Sequence, residues 1–317
     1  MKVLISDKTS KKCAEILRGA GHEVDEKFGI TAEELKSIIG NYHGLIVRSA
    51  TKVTSDILHL AKNIKVVGRA GSGVDNIDIN AAKEKNIIVM NTPGANTNAV
   101  AELTLAHMFA LSREIYTTSK SLKEEKWEKK KFMGVELLNK TLGILGYGKI
   151  GRSVALKSKC LGMEVNCFDP YVGRDIVDQF SIRLVANLDE VLTKADYLSI
   201  HVPKLPETMN MLAKEQFEKM KKGVYLVNCA RGGIVNETDL LWALEEEIVA
   251  GAALDVFENE PPMDFRLIKH ERVICTPHLG AATFESQDNV AIQIAEQFVD
   301  MFAGKEIRNT VSKSIKE

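Results

Sequence analysis

Thr141-Leu142-Gly143-Ile144-Leu145 runs directly into Gly146-Tyr147-Gly148-Lys149-Ile150-Gly151, an apolar stretch followed by a G-x-G-x-x-G. Alone, the glycine pattern is weak; its surroundings carry more. A helical run from Ser153 to Leu161 follows it. The next apolar run, Glu164-Val165-Asn166-Cys167-Phe168, ends in Asp169, twenty-three residues after Gly146. Glycines at these spacings permit a tight turn and close backbone approach, while the helix N-terminus faces a pyrophosphate. Asp169 would take the ribose hydroxyls of NAD and repel the 2′-phosphate of NADP. Arg174 lies nearby but displaced, so use of both cofactors stays open.

Outward from this unit, short apolar runs alternate with longer helical stretches. Besides the two already quoted, they are Lys2–Ile5, Gly44–Val47, Lys65–Gly68, Ile87–Met90, Tyr197–Ile200, Val224–Val227, Gly251–Leu254 and Arg272–Cys275. Runs of four or five residues without polar alternation suit parallel strands covered on both faces. The segments between them are long enough for crossover helices, which gives repeated βαβ units. Ten such strands are too many for one comfortable sheet. The expected fold is therefore α/β, with two doubly wound parallel sheets of Rossmann or flavodoxin type. The division falls after Thr92-Pro93-Gly94-Ala95, where the chain enters one long helical stretch from Asn98 to about Lys123. A charged segment, Glu124 to Lys131, follows that stretch. A helical pattern over the last thirty residues (Ile292, Ile294, Ala295, Phe298, Val299, Phe302) is expected to fold back on the first domain.

Composition narrows the function. Lys+Arg 42 against Asp+Glu 43 leaves a net charge of -1 in 317 residues, which argues against a nucleic-acid partner. No apolar run is long enough to span a membrane, and Met1 to Asp7 reads as a buried strand rather than a signal peptide. Five scattered cysteines without a CxxC pair argue against a zinc site or disulfide framework, so the expectation is a cytoplasmic protein with no metal.

In doubly wound sheets, ligands sit beyond the carboxyl ends of the strands. Asp169, His201, Arg231, Glu258, Glu260 and His278 all follow strands of the second domain. Hydride transfer to or from a carbonyl carbon needs a proton carrier at the oxygen, and histidine suits that near neutral pH. A carboxylate partner orients the ring and favours its protonated form. Arginine grips a substrate carboxylate through its planar fork. Arg231, Glu260 and His278 fit these roles, with His201 the rival histidine; His107 lies in an apolar helix and reads as packed. A second cluster, Gly68-Arg69-Ala70-Gly71-Ser72-Gly73, has Asn76 in place of a third glycine and no acid at the right distance. It is rejected as a dinucleotide site, but its backbone N–H groups suit a small anion.

These segments resemble the D-isomer-specific 2-hydroxyacid dehydrogenase family over nearly the whole chain. The resemblance rests on Gly71-Ser72-Gly73-Val74-Asp75-Asn76-Ile77-Asp78, the Gly146 to Gly151 loop, Asn228-Cys229-Ala230-Arg231-Gly232-Gly233, Leu254-Asp255-Val256-Phe257-Glu258-Asn259-Glu260-Pro261 and Thr276-Pro277-His278-Leu279-Gly280. It implies that Arg231 anchors the substrate and that Glu260 and His278 form the proton-transfer pair, which decides against His201. It also implies that NAD lies against Gly146, Gly148, Lys149, Ile150, Gly151 and Asp169, and against Cys229, Ala230, Arg231, Asp255, His278 and Gly280. A discontinuous substrate domain (1–97 with 285–317) would face an NAD domain (98–284) across a cleft. The implied assembly is a homodimer built through the crossover arm.

Within the family, the likeness is greatest to the branch that oxidises D-3-phosphoglycerate at the entry to serine synthesis. Val47 to Thr54, Val67 to Gly71 and Lys126 to Gly134 carry it. Arg48 and Arg69 would hold the phosphate; Ser72, Gly73, Asn96 and Arg231 would complete the substrate contacts. Asn96 stands in Pro93-Gly94-Ala95-Asn96, where that branch often has Pro-Asn-Gly-Asn. The chain stops at Glu317, so no serine feedback through a further domain is expected. The alternatives are a glyoxylate/hydroxypyruvate reductase, another D-2-hydroxyacid dehydrogenase, or an NAD-sensing protein resembling the C-terminal-binding-protein corepressors.

Overall fold

The computed structural model describes residues 1–173 and 181–311. Arg174 lies outside the described residues. The chain divides into two compact units, Met1–Asn96 with the chain from Ala281 onward, and Thr97–Gly280.

In the first unit, β1 (Lys2–Ile5), β2 (Glu23–Glu26), β3 (Gly44–Val47), β4 (Val66–Arg69) and β5 (Ile88–Met90) form a parallel sheet of order β2-β1-β3-β4-β5. Alternate strand residues serve opposite faces. Leu4, Leu45, Val47 and Val67 pack with Leu35 of α2 (Ala32–Ile38), Ile57 and Leu58 of α3 (Ser55–Leu60) and Ala81 of α4 (Ile79–Glu84). Val3, Ile5, Ile46 and Val66 pack with Cys13 and Leu17 of α1 (Lys11–Gly19) and with Ile294 and Phe298 of α11 (Phe284–Phe302). Gly44 and Gly68 let α11 lie this close, because a Cβ on either would overlap the Phe298 ring. Strand β2 had no counterpart in the sequence reading. Its Glu-Val-Asp-Glu sequence is that of an edge strand with one inward residue, Val24, and charge on the rest.

The second unit's sheet has the order β12-β11-β10-β9-β6-β7-β8. Its strands are β6 (Thr141–Leu145), β7 (Glu164–Phe168), β8 (Arg183–Leu184), β9 (Tyr197–Ile200), β10 (Val224–Asn228), β11 (Val249–Leu254) and β12 (Val273–Cys275), all parallel. Read from β6 as the first strand, this is the doubly wound 3-2-1-4-5-6 order with a seventh strand appended. One face is covered by α5 (Thr97–Ser112) and α7 (Lys149–Cys160), the other by α8 (Leu188–Leu192), α9 (Lys214–Lys219) and α10 (Glu237–Glu245). The expected single helix from Asn98 to Lys123 is two helices, α5 and α6 (Ile115–Lys123). Glu114 between them takes a left-handed backbone, φ 49°, which no continuous helix accommodates.

Candidate active site

The glycine loop sits where the strand order reverses, between β6 and β9. Gly146 has φ 92°, and its N–H donates to Phe168 O at 2.9 Å. A Cβ on Gly151 would strike the Gly146 carbonyl, so the third glycine lets α7 start against the loop. Gly148 is the N-cap of α7; it offers no side chain to the helix amides, and the space where a Cβ would stand is open. Lys149 and Ile150 form the first helical turn. A helix start without a side-chain cap, the positive end of the helix and the open space at Gly148 together fit a pyrophosphate. At the end of β7, Asp169 accepts from the Tyr147 N–H at 2.7 Å and the Tyr171 N–H at 2.9 Å. The carboxylate is thereby held beside the glycine loop, where a cofactor ribose belongs.

His201, just beyond β9, packs under that loop rather than facing a substrate. A Cβ on Gly146 would touch its backbone, and its Nε2 lies 2.8 Å from Ser199 Oγ. Burial pushes its imidazole down to about 3, so the ring is neutral and a poor proton donor at physiological pH.

Beyond β10, Asn228 shapes the next loop from a buried position. Its Oδ1 accepts from the Ala230 N–H and its Nδ2 donates to Arg231 O, each at 3.0 Å. Arg231 Nη1 donates to Ala230 O at 2.7 Å. Gly232 lies against the Phe257 carbonyl and has no room for a Cβ, which packs this loop against the one carrying Glu260. Cys229 is buried, and its thiol is pushed up to about 12 by that burial, so it stays protonated.

Glu260 and His278 meet at the same edge, with 2.7 Å between Glu260 Oε2 and His278 Nδ1. The other carboxylate oxygen accepts from the Phe257 N–H at 3.1 Å. Burial raises the Glu260 carboxyl, but the His278 hydrogen bond and charge, the Phe257 amide and Arg231 outweigh it and hold the group below its usual range. Since a carboxylate only accepts, His278 donates from Nδ1 and keeps Nε2 for a substrate. Arg231, Glu260 and His278 are therefore brought together, the arginine through its field on Glu260.

Asp255 builds the turn that presents His278. Fully buried, it accepts from Thr276 Oγ1 at 2.5 Å, Leu279 N–H at 2.7 Å and Gly280 N–H at 2.8 Å, while its own carbonyl accepts from His278 N–H at 2.8 Å. His107 completes this network, its Nε2 lying 3.2 Å from Thr276 Oγ1. From sequence His107 reads as packed, and nothing singles out Thr276 as its partner. Nothing short of the fold links residues 169 positions apart.

In the first unit, the residues expected to hold substrate lie at or beyond the ends of β3, β4 or β5. Arg69 Nη1 donates to Gly73 O at 2.5 Å, and Ser72 Oγ donates to Asn96 Oδ1 at 2.7 Å. Gly71 departs from expectation: its N–H is spent on Arg69 O at 2.9 Å, so it is not open to an anion. Arg48 is partly buried, its Nη1 donates to Lys8 O at 3.3 Å, and burial lowers its proton affinity against the pull of Asp7.

Residues 105–280 match the family described as D-isomer specific 2-hydroxyacid dehydrogenase, NAD binding domain. Similar curated proteins include D-3-phosphoglycerate dehydrogenase of Sus scrofa, 49% identical over 311 residues, which are 98% of this chain and 58% of that protein. D-3-phosphoglycerate dehydrogenase of Archaeoglobus fulgidus is 46% identical over 313 residues, 98% of this chain and 59% of that protein. The chain thus spans somewhat over half the length of these relatives. Among solved structures, NAD+-bound 3-phosphoglycerate dehydrogenase of Entamoeba histolytica superposes with a TM-score of 0.84 at 30% identity, covering 99% of both chains.

Proposed function

The chain belongs to the D-isomer-specific 2-hydroxyacid dehydrogenase family, and we propose that within it this protein oxidises D-3-phosphoglycerate to 3-phosphohydroxypyruvate with NAD. The observation that carries the reading is the 2.7 Å contact of His278 Nδ1 with Glu260 Oε2 beside Arg231. NAD, when bound, supplies the acceptor for the hydride leaving C2 of the substrate. Arg231 grips the substrate carboxylate. His278 Nε2 takes the C2 hydroxyl proton as the hydride departs, and Glu260 stabilises the imidazolium so formed.

The cofactor rests on Gly146, Gly148, Lys149, Ile150 and Gly151 with Asp169 at its ribose; Cys229, Ala230, Asp255 and Gly280 line the remainder of its site. Arg48 and Arg69 read the phosphate, and Ser72, Gly73 and Asn96 complete the substrate contacts. The first unit is the substrate domain and the second the NAD domain. The likeness to phosphoglycerate dehydrogenases over 98% of this chain supports this choice of substrate.

The proposed assembly is a homodimer through the crossover arm. The exposed apolar side chains of Ile115, Tyr116, Leu122, Trp127 and Met133, all on that arm, support it. Among the described residues no helix is long and apolar enough to cross a membrane. The proposed compartment is the cytoplasm, a reading supported by five unpaired cysteine thiols.

The test is NADH formation from D-3-phosphoglycerate, D-glycerate and D-lactate at alkaline pH with product trapped, together with NADH oxidation by glyoxylate and hydroxypyruvate. A kcat/KM at least about tenfold higher for phosphoglycerate supports the reading. Turnover only with the unphosphorylated acids overturns the substrate while leaving the catalytic trio in place.

A further inference from the structure

Where the first sheet's strand order reverses, between β1 and β3, the chain has placed a buried carboxylate rather than a glycine loop. Asp7, two residues beyond β1, accepts from the Arg48 N–H at 2.6 Å, from the Thr51 N–H at 3.1 Å and from Thr51 Oγ1 at 2.6 Å. From the other side, Asn76 Nδ2 donates to both Arg48 O and Thr51 O at 2.7 Å. The amide and the carbonyl of Arg48 are thus each tied to a side chain of another segment, and so are those of Thr51. Ser6 Oγ, 2.9 Å from Thr51 Oγ1, closes the set.

The side chain that this loop carries is the informative part. Arg48 is partly buried, and its Nε is shielded from solvent with no hydrogen-bond partner among the described residues. A guanidinium taken this far out of water with an unanswered donor is costly unless an anion answers it. Reversal points of doubly wound sheets are where ligands bind. Ser49 and Ala50 are exposed, yet the buried Asp7 and the half-buried Asn76 fix the backbone at Arg48 and Thr51, which leaves the arginine chiefly its own rotamers to vary.

We infer that Asp7 and Asn76 are positioning residues for phosphate recognition: they clamp the Arg48–Thr51 loop so that Arg48 is set for the phosphate before substrate arrives. This rests on the proposed reading of Arg48 as a phosphate ligand. The clamp does not touch substrate; its effect is on KM for phosphorylated acids, not on the chemical step.

The experiment measures kcat and KM for D-3-phosphoglycerate and for D-glycerate, NAD affinity and thermal melting in Arg48→Ala, Asn76→Ala, Asp7→Asn, Thr51→Val and Thr51→Ser. Thr51→Val removes one hydroxyl at nearly constant shape, so it stays informative if Asp7→Asn or Asn76→Ala fails to fold; Thr51→Ser restores that hydroxyl. The expected result is a rise of roughly 10- to 100-fold in KM for phosphoglycerate in Asn76→Ala and Asp7→Asn. Thr51→Val shows a smaller rise that Thr51→Ser reverses. In all of the clamp variants kcat, NAD affinity and KM for D-glycerate stay near wild type. If Arg48→Ala raises KM for phosphoglycerate but the clamp variants do not, or if they weaken D-glycerate equally, the clamp is structural only and the inference falls. If Arg48→Ala leaves that KM unchanged, the phosphate reading of Arg48 is what has failed, and the inference goes with it.

Discussion

His278 presents its imidazole from a left-handed backbone, φ 54°, with Nδ1 2.7 Å from Glu260 Oε2. Such a conformation is uncommon outside glycine. Here the buried carboxylate and carbonyl of Asp255 hold it by accepting the N–H groups of His278, Leu279 and Gly280. The histidine is oriented twice, at its backbone by Asp255 and at its ring by Glu260. A proton carrier fixed in this way needs little rearrangement when a substrate hydroxyl arrives.

The partnership sets a pH dependence. Oxidation requires a neutral imidazole, so kcat/KM in that direction rises from acid to alkaline pH. Glu260 is held in its charged form and favours the imidazolium. Glu260→Gln keeps the shape but loses the charge that stabilises the imidazolium, and kcat is expected to fall by roughly 10²-fold. Parallel kinetics of the two proteins check this; an unchanged kcat would contradict the pairing.

Asp169, fixed by the Tyr147 and Tyr171 amides, is the residue we propose to set cofactor choice. Asp169→Ala loses a charge-assisted ribose contact and the repulsion of a 2′-phosphate. A Kd for NAD weaker by roughly tenfold, with a narrowed preference over NADP, is expected from fluorescence titration.

Acid stability has a local contributor in Asp196. Burial raises its carboxyl, but Lys221 Nζ at 2.6 Å and the Thr141 amide at 2.8 Å outweigh this and leave it below its ordinary 3.8. A depressed carboxyl stabilises the fold fully above the unfolded-state value and loses that contribution as pH falls through the folded-state value. Asp196→Asn is therefore expected to melt below wild type at neutral pH. The gap should close as pH falls below about 3.8, a trend that melting scans across pH would show or refute.

Phe298, fully buried against the glycines of β3 and β4, joins α11 to a sheet built from the other end of the chain. Phe298→Ala leaves a void of ring size in that core and is expected to cost about 3–5 kcal/mol. Denaturant unfolding measures it, and a loss under about 1 kcal/mol would mean that the helix repacks.

Most of the second sheet was legible in the chain because its strands, covered on both faces, are nearly pure apolar runs. The glycine loop was legible for a related reason: backbone contact with a phosphate restricts residue type at fixed spacing. Edge strands were not. Glu23–Glu26 has a single apolar residue, Val24, among charges that pair with Lys2 and Arg18, and Arg183–Leu184 is too short to show a period. The break at Glu114 also escaped, since neither glycine nor proline marks it. Arg231, Glu260 and His278 could be picked out because each follows a strand, but their mutual contact could not, nor could the ties of Asp7 to Thr51 or Thr276 to His107. Those span residues far apart in sequence, and only the sheet order brings them together.

We propose that His278, braced by Glu260, moves the substrate proton while NAD takes the hydride. The most direct test is the rate of NADH formation from D-3-phosphoglycerate by His278→Ala beside wild type, with NAD affinity measured separately. A fall of roughly 10²–10⁴-fold in kcat, with NAD still bound, is the expected result. A variant turning over near the wild-type rate would mean that another group moves the proton.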